Sequence, residues 1–189
     1  MRAFLRTCVW LLVVLIVVVV VVNNTVASLP SMPPADGDAY TSLRGKEIHY
    51  IEQPGNGTAV VMLHGLPGTY RDFDPVLPEL QGRHVISIDR AGFGWSKGGP
   101  LPYQDQLDLV HDLLTQLKLA PAILVGHSFG GTLALGVARR YPQDVAGMVL
   151  VAPGAGGVRS HAMDRFNAHY AEFGQLPMVR RSWMSPSTT

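Results

Sequence analysis

Apolar and polar positions divide this chain into stretches of different texture. From Cys8 to Val22 no charged or strongly polar side chain interrupts an apolar run, and nine of the fourteen residues Val9–Val22 are valine. From Asn23 to Ala39, Ser, Pro, Asn, Asp and Gly follow one another with little periodicity. This reads as a linker, stiffened by Pro30, Pro33 and Pro34. From about Tyr40 short apolar runs alternate with Gly-rich turns and amphipathic stretches. Ile48–Glu52 alternates apolar and polar, as a half-buried strand does, while Ala59–Leu63 and His84–Ile88 are continuous apolar runs that predict buried strands. Tyr103–Leu119 sets Leu107, Val110, Leu114 and Leu117 at helical spacing, behind Pro102 and ahead of Pro121. Ala122–Val125 predicts a strand, Phe129–Tyr141 a helix closed by Pro142, and Met148–Val151 a strand ending at Pro153. Beyond Val158 the pattern weakens to one helical stretch, Met163–Phe173, and a frayed tail, Ser182–Thr189. Strands buried on both faces and separated by helices predict an α/β domain over residues 40–158, its sheet mostly parallel with helices on both faces.

The first residues add a location. Arg2 and Arg6 precede the apolar run and no acid accompanies them, the basic–apolar–polar order of a targeting segment. The 15 residues Cys8–Val22 would reach about 22 Å as a helix, at the short end of a membrane span. Small residues at Thr25-Val26-Ala27 offer a cleavage point after Ala27. Two readings stand. Residues 1–22 are a signal-anchor, with the arginines cytoplasmic and the domain outside, periplasmic or extracellular. Alternatively, they are a signal peptide whose removal near Ala27 releases a secreted domain.

Composition narrows the rest. The 189 residues, 47% of them hydrophobic, suffice for one globular domain. A net charge of +1, with 15% charged residues and no basic stripe, argues against a nucleic-acid partner. The single cysteine, Cys8, allows no disulfide within the chain, and no spacing suggests a metal or an organic cofactor. The sequence assigns no oligomeric state.

Three motifs carry chemistry. Gly126-His127-Ser128-Phe129-Gly130 fits G-x-S-x-G between a predicted strand and a predicted helix, the setting a nucleophile elbow needs. The flanking glycines remove Cβ atoms that would collide in so tight a turn, and the helix N-terminus favours negative charge beside Ser128. The bland alternative is Ser128 as a helix N-cap. His64-Gly65-Leu66-Pro67-Gly68 follows the strand Ala59–Leu63. Its Leu66 N–H, together with that of Phe129, is positioned by sequence to form an oxyanion hole. Gly65, Gly68, Gly126, His127 and Gly130 support the loop and elbow, and His64 reads as a structural histidine that fixes the loop. In Asp89-Arg90-Ala91-Gly92-Phe93-Gly94-Trp95-Ser96, Asp89 reads as the tie of a turn. Tyr70, Phe73 and Phe129 either border an apolar acyl pocket or belong to the core.

The order and spacing of HGLPG at 64–68, DRAGFGWS at 89–96 and GHSFGG at 126–131 resemble the α/β-hydrolase fold family, in its serine esterase, lipase and haloperoxidase-like branch, over roughly Leu43 to Pro153. Relatives with halide or epoxide chemistry carry Asp at the elbow. Ser128 points instead to ester, thioester or related acyl chemistry on a small-molecule substrate, with C–C hydrolysis and perhydrolysis also open. The resemblance implies chain order Ser, acid, His, with the acid after a seventh strand and the histidine after an eighth. Met148–Val151 corresponds to the sixth strand, and 38 residues follow Val151. The chain is therefore expected to be incomplete in its C-terminal part, with residues 159–189 opening a lid region or fraying. Asp164, His161, His169 and Glu172 follow Ser128, but none occupies the expected position, and they read as solvated lid residues. A non-catalytic, membrane-anchored binding module of the same fold is the alternative function. The strand Met148–Val151 is expected to be an uncovered apolar edge.

Overall fold

The computed structural model describes residues 2–28 and 37–154. The linker residues 29–36 lie outside this description, as do residues 155–189, and with them the predicted helix Met163–Phe173, the tail, and Asp164, His161, His169 and Glu172.

Helix α1 spans Arg2–Ser28. Asn23, Asn24 and Thr25 continue it rather than ending it, and Thr25 Oγ1 donates to Val21 O at 2.8 Å. Its apolar window thereby grows to the 20 residues Arg6–Thr25, about 30 Å of helix and enough to cross a bilayer core. By length and composition a signal sequence fits this helix as well as an anchor does.

The domain is a six-stranded sheet of order β1-β2-β4-β3-β5-β6. β1 (Asp38–Leu43) and β2 (Lys46–Gln53) form an antiparallel hairpin, Leu43 opposite Lys46. Its two turn residues, Arg44 and Gly45, both take positive φ, 50° and 70°, as the tight turns that match strand twist require. β1 escapes a periodicity search because only Thr41 and Leu43 are fully buried in it. The segment read as linker to Ala39 already joins the sheet at Asp38. β2 also pairs antiparallel with β4 (Arg83–Ile88). β4, β3 (Asn56–Leu63), β5 (Ala122–His127) and β6 (Val145–Val151) are mutually parallel.

Alternation along β3 assigns the two faces. Val61 and Leu63 pack with Ile86, Ile88 and Leu124 under α2 (Tyr103–Gln116) and α3 (Phe129–Arg140), which contribute Leu113, Leu114, Leu133 and Val137. Val60 and Met62 join Val85 and Phe73 on the opposite face, beneath the 3₁₀ segment Tyr70–Leu80. Tyr70 and Phe73 are buried, at 2% and 6% exposure, and so is Phe129 at 9%, which places these aromatics in the core. At the far edge of the sheet Met148, Val149 and Val151 are 41%, 51% and 48% exposed, so among the described residues β6 is the apolar edge strand.

Candidate active site

The parallel strands β3, β4 and β5 end side by side, and each of the three motifs occupies the loop after one of them. In open α/β sheets this carboxyl edge is where ligands bind.

Ser128 links β5 to α3. Its backbone sits at φ 49°, ψ −115°, a region non-glycine residues avoid, and its side chain makes no cap hydrogen bond. A serine N-cap takes extended backbone angles and accepts from the next turn, so the N-cap reading does not describe this residue. The strained turn is held by backbone. Ser128 N donates to Val151 O at 2.9 Å, and Ser128 O accepts from Gly131 N at 3.0 Å, Thr132 N at 3.2 Å and Gly154 N at 3.1 Å. Close approach explains the glycines on either side. A Cβ on Gly126 would fall 2.5 Å from Gly130 O and 2.6 Å from Gly131 Cα. One on Gly130 would fall 2.7 Å from His64 O and closer still to Leu63 O. His127 and Ser128 are half-buried at this edge.

The HGLPG loop lies against the elbow. A Cβ on Gly65 would stand 2.9 Å from His127 Nδ1 and 3.1 Å from Ser128 Cβ, and one on Gly68 would stand 2.9 Å from His64 Nδ1. Leu66, half-buried, packs against the larger core. His64 is fully buried and serves both its neighbours. Its Nδ1 lies 2.9 Å from Gly65 O, and its Nε2 accepts from Arg90 N at 3.0 Å, which assigns the neutral ring with the proton on Nδ1. Burial, reinforced by the Arg90 charge, holds His64 well below the usual histidine range. With both nitrogens engaged, His64 is a brace of the loop and has no free nitrogen to act as a base.

Asp89 is likewise committed. Its Oδ1 accepts from Tyr70 N at 2.9 Å, and its Oδ2 accepts from Trp95 N at 2.9 Å and from His49 Nδ1 at 2.8 Å. His49 Nε2 in turn faces Asp38 Oδ1 at 3.0 Å. Burial alone would lower His49, but the hydrogen bond and charge of Asp89, followed by those of Asp38, outweigh it and leave this imidazole raised above 6.5. Asp89 thus fastens the 89–96 turn to β2 and to the start of the 3₁₀ segment, as the sequence predicts. The row Asp38–His49–Asp89 is absent from any motif reading, because it joins residues far apart in the chain. Among the described residues no group of His, Cys, Asp or Glu is arranged to hold a metal ion.

Arg90 is the residue that motif reading missed. It is 3% exposed, yet among the described residues no carboxylate lies at ion-pair distance. Its Nη2 donates to Gly65 O at 2.7 Å and its Nη1 to Gln106 Oε1 at 2.9 Å. The guanidinium lies between two rings, 4.4 Å from the centroid of Phe93 and 4.7 Å from that of Phe129. Burial pulls it down to about 9, which leaves it charged at neutral pH. An arginine after Asp89 carries no sequence signal for such burial.

Comparison with known proteins fits this arrangement. The profile of the alpha/beta hydrolase fold matches residues 58–184. The chain is 33% identical over 123 residues to the sn-1-specific diacylglycerol lipase ABHD11 of Mus musculus, covering 62% of this chain and 40% of that protein. It is 37% identical over 127 residues to the 2-hydroxy-6-oxo-6-phenylhexa-2,4-dienoate hydrolase of Comamonas testosteroni, covering 61% and 43%. Among solved structures, Cfl2 of Burkholderia cenocepacia superposes with a TM-score of 0.60 at 26% identity, over 66% of this chain and 44% of that one. The chain spans about half, or less, of the length of the curated relatives it matches, from 23% to 52%. The sheet order, the three loops at its carboxyl edge and the extent of these matches agree: this chain belongs to the α/β-hydrolase fold family.

Proposed function

We propose that the protein is a serine hydrolase that cleaves an ester or related acyl substrate through Ser128. The observation that carries this reading is the backbone of Ser128, held at φ 49°, ψ −115° with its hydroxyl free of any cap bond. Such strain costs about 1–3 kcal/mol and persists where the surroundings over-determine it, as they do at functional turns. A histidine takes the Ser128 proton, an acid orients that histidine, and Ser128 Oγ attacks the carbonyl carbon. The oxyanion is received by the N–H groups of Leu66 and Phe129, the leaving group departs with the proton, and water then resolves the acyl-enzyme. The acid and histidine are not assigned to any residue. Helix α1, read as an anchor, would hold the domain outside the membrane, with Arg2 and Arg6 on the cytoplasmic side.

One observation favours the non-catalytic binding module for the chain as it stands. Of the five described histidines, the rings of His49, His64, His84 and His111 are engaged by Asp89, Gly65, Glu52 and Asp144, which leaves outside these pairs only His127, the chain neighbour of Ser128. A fluorophosphonate probe separates the two readings. The full chain in detergent micelles is expected to be labelled at Ser128, and Ser128→Ala is expected not to be. Imidazole, supplied as an added base, is expected to accelerate labelling if the chain's own base is absent. No labelling in either condition would return the reading to a binding module.

A further inference from the structure

We infer that Arg90 is a positioning residue of the oxyanion hole, holding the Gly65–Leu66 peptide in place through Gly65 O while its guanidinium backs the ring of Phe129. This rests on the reading of Ser128 as nucleophile and of Leu66 and Phe129 as the oxyanion donors.

The geometry of one peptide unit carries the argument. The carbonyl of Gly65 and the N–H of Leu66 belong to the same rigid plane and point in opposite directions. Whatever grips Gly65 O therefore aims the Leu66 N–H. Two donors grip it, Arg90 Nη2 at 2.7 Å and His64 at 2.9 Å. The first is charge-assisted, and such bonds are roughly twice as strong as neutral ones. His64 itself is fixed by Arg90, whose backbone N–H donates to its Nε2 at 3.0 Å. Both grips on the carbonyl therefore trace back to one residue. The other half of the hole is reached from the same side chain, since the guanidinium lies 4.7 Å from the Phe129 ring centroid. Gln106, 4% exposed, holds the far arm of the fork through Oε1, and its own Nε2 is fixed by donating to Leu101 O at 2.7 Å.

Electrostatics point the same way. A buried cation without a bonded carboxylate is costly. The charge becomes favourable when negative charge develops on the open side of the peptide it grips. It strengthens that peptide's dipole toward an oxyanion and needs no reorganisation when the charge appears. The nearby charges that bear on Arg90 are Asp72 and Asp89. The second is already shared among three donors.

The test compares the full-length chain with Arg90→Met, Arg90→Lys and, as blank, Ser128→Ala, in detergent micelles with imidazole present. The rate of fluorophosphonate labelling at saturation (kinact) and the concentration for half-saturation (KI) are measured, and circular dichroism gives the folded fraction. Arg90→Met is expected to lower kinact by about 10- to 100-fold, less than or equal to the loss of a whole oxyanion donor. KI is expected to stay within about 3-fold, because the reagent's apolar contacts are untouched. Arg90→Lys, which keeps one cationic donor, is expected to recover part of the loss. An unchanged kinact in folded Arg90→Met, or a fall no larger than the loss of folded protein, would overturn the inference. Should Arg90→Met fail to fold, Arg90→Lys is decisive alone: a several-fold fall in kinact at unchanged KI supports it, and a wild-type value overturns it. Absence of labelling in the wild-type chain would instead overturn the nucleophile reading, and this inference with it.

Discussion

Replacing Gly130 by alanine tests how the elbow is built. The added methyl would lie 2.5 Å from Leu63 C and 2.7 Å from His64 O, and closer still to Leu63 O. These are backbone atoms at the end of a central strand and cannot swing aside. Helix α3 or the end of β3 must move by about an ångström, and overpacking of this kind costs roughly 1–3 kcal/mol, here at the upper end because no side chain can yield. Alanine returns about 1 kcal/mol of helix propensity. The net expectation is a destabilisation of about 2 kcal/mol, or about 8 °C in Tm for a domain of this size. Gly136→Ala, six residues along the same helix, is the control. Its methyl would meet Leu107 Cδ2 at 2.7 Å and the Tyr103 hydroxyl, which are side-chain ends rather than backbone. With the same propensity gain it is expected within about 1 kcal/mol of wild type. Thermal unfolding of both variants in micelles, followed by circular dichroism, decides the matter. If Gly130→Ala melts with Gly136→Ala or above it, close contact between α3 and the end of β3 is not what requires glycine in the elbow.

Other consequences follow from the same geometry. Ser128→Gly should abolish probe labelling and raise stability by about 1 kcal/mol, because glycine relieves about 1–3 kcal/mol of backbone strain and loses back about 0.5–1 in chain entropy; a lower Tm would show that the turn is not strained. Asp89→Asn removes a buried carboxylate from His49 and should destabilise by about 3 kcal/mol. The fraction that remains folded should keep probe reactivity at Ser128, whereas loss of reactivity in that fraction would make Asp89 part of the catalytic machinery. His49 is raised above 6.5 by Asp89 and Asp38 against the effect of burial. A raised folded value means its stabilisation is complete below about pH 6.5 and is lost as pH climbs through the folded value. Tm of wild type should therefore fall relative to His49→Gln across that window, and parallel curves would refute the charged pairing. Val149→Lys, at a site 51% exposed, should leave stability within about 0.5 kcal/mol of wild type and lower any self-association seen by light scattering, since lysine on an edge strand opposes edge pairing.

What the sequence disclosed and what it withheld follow from where the physics is local. β3 and β4 were legible because strands buried on both faces must be apolar throughout, and α2 because Leu107, Val110 and Leu114 mark one face. β1 was not, because an edge strand needs few fully buried residues, here Thr41 and Leu43, and borrows its pairing from β2. Ser128 was legible because a sharp turn demands glycines within two residues of it. The roles of Arg90 and His49 were not. Each is set by partners 16 to 40 residues away, Gln106 and Gly65 for one and Asp89 for the other. No spacing rule encodes that a charged side chain will be closed in by two aromatic rings.

The elbow and the edge of the sheet are mechanically one structure. Ser128 N is tied to Val151 O, Ser128 O to Gly154 N, and the Thr132 hydroxyl to Gly154 O. A Cβ on Gly131 would touch Pro153 at 2.9 Å, so α3 also rests on the end of β6. The strained residue thus hangs from an edge strand of the described sheet, its Met148, Val149 and Val151 side chains 41%, 51% and 48% exposed. Local opening free energy follows local burial and pairing. β6 should therefore fray before β3, β4 or β5, and when it does the backbone that holds Ser128 at positive φ loses its N–H acceptor. Any segment that pairs with β6 would raise the opening free energy of the strand and of the elbow together. Amide exchange can read that coupling directly, because the Ser128 and Gly154 N–H groups should then exchange at the rate of β6 rather than at the slower rate of β5.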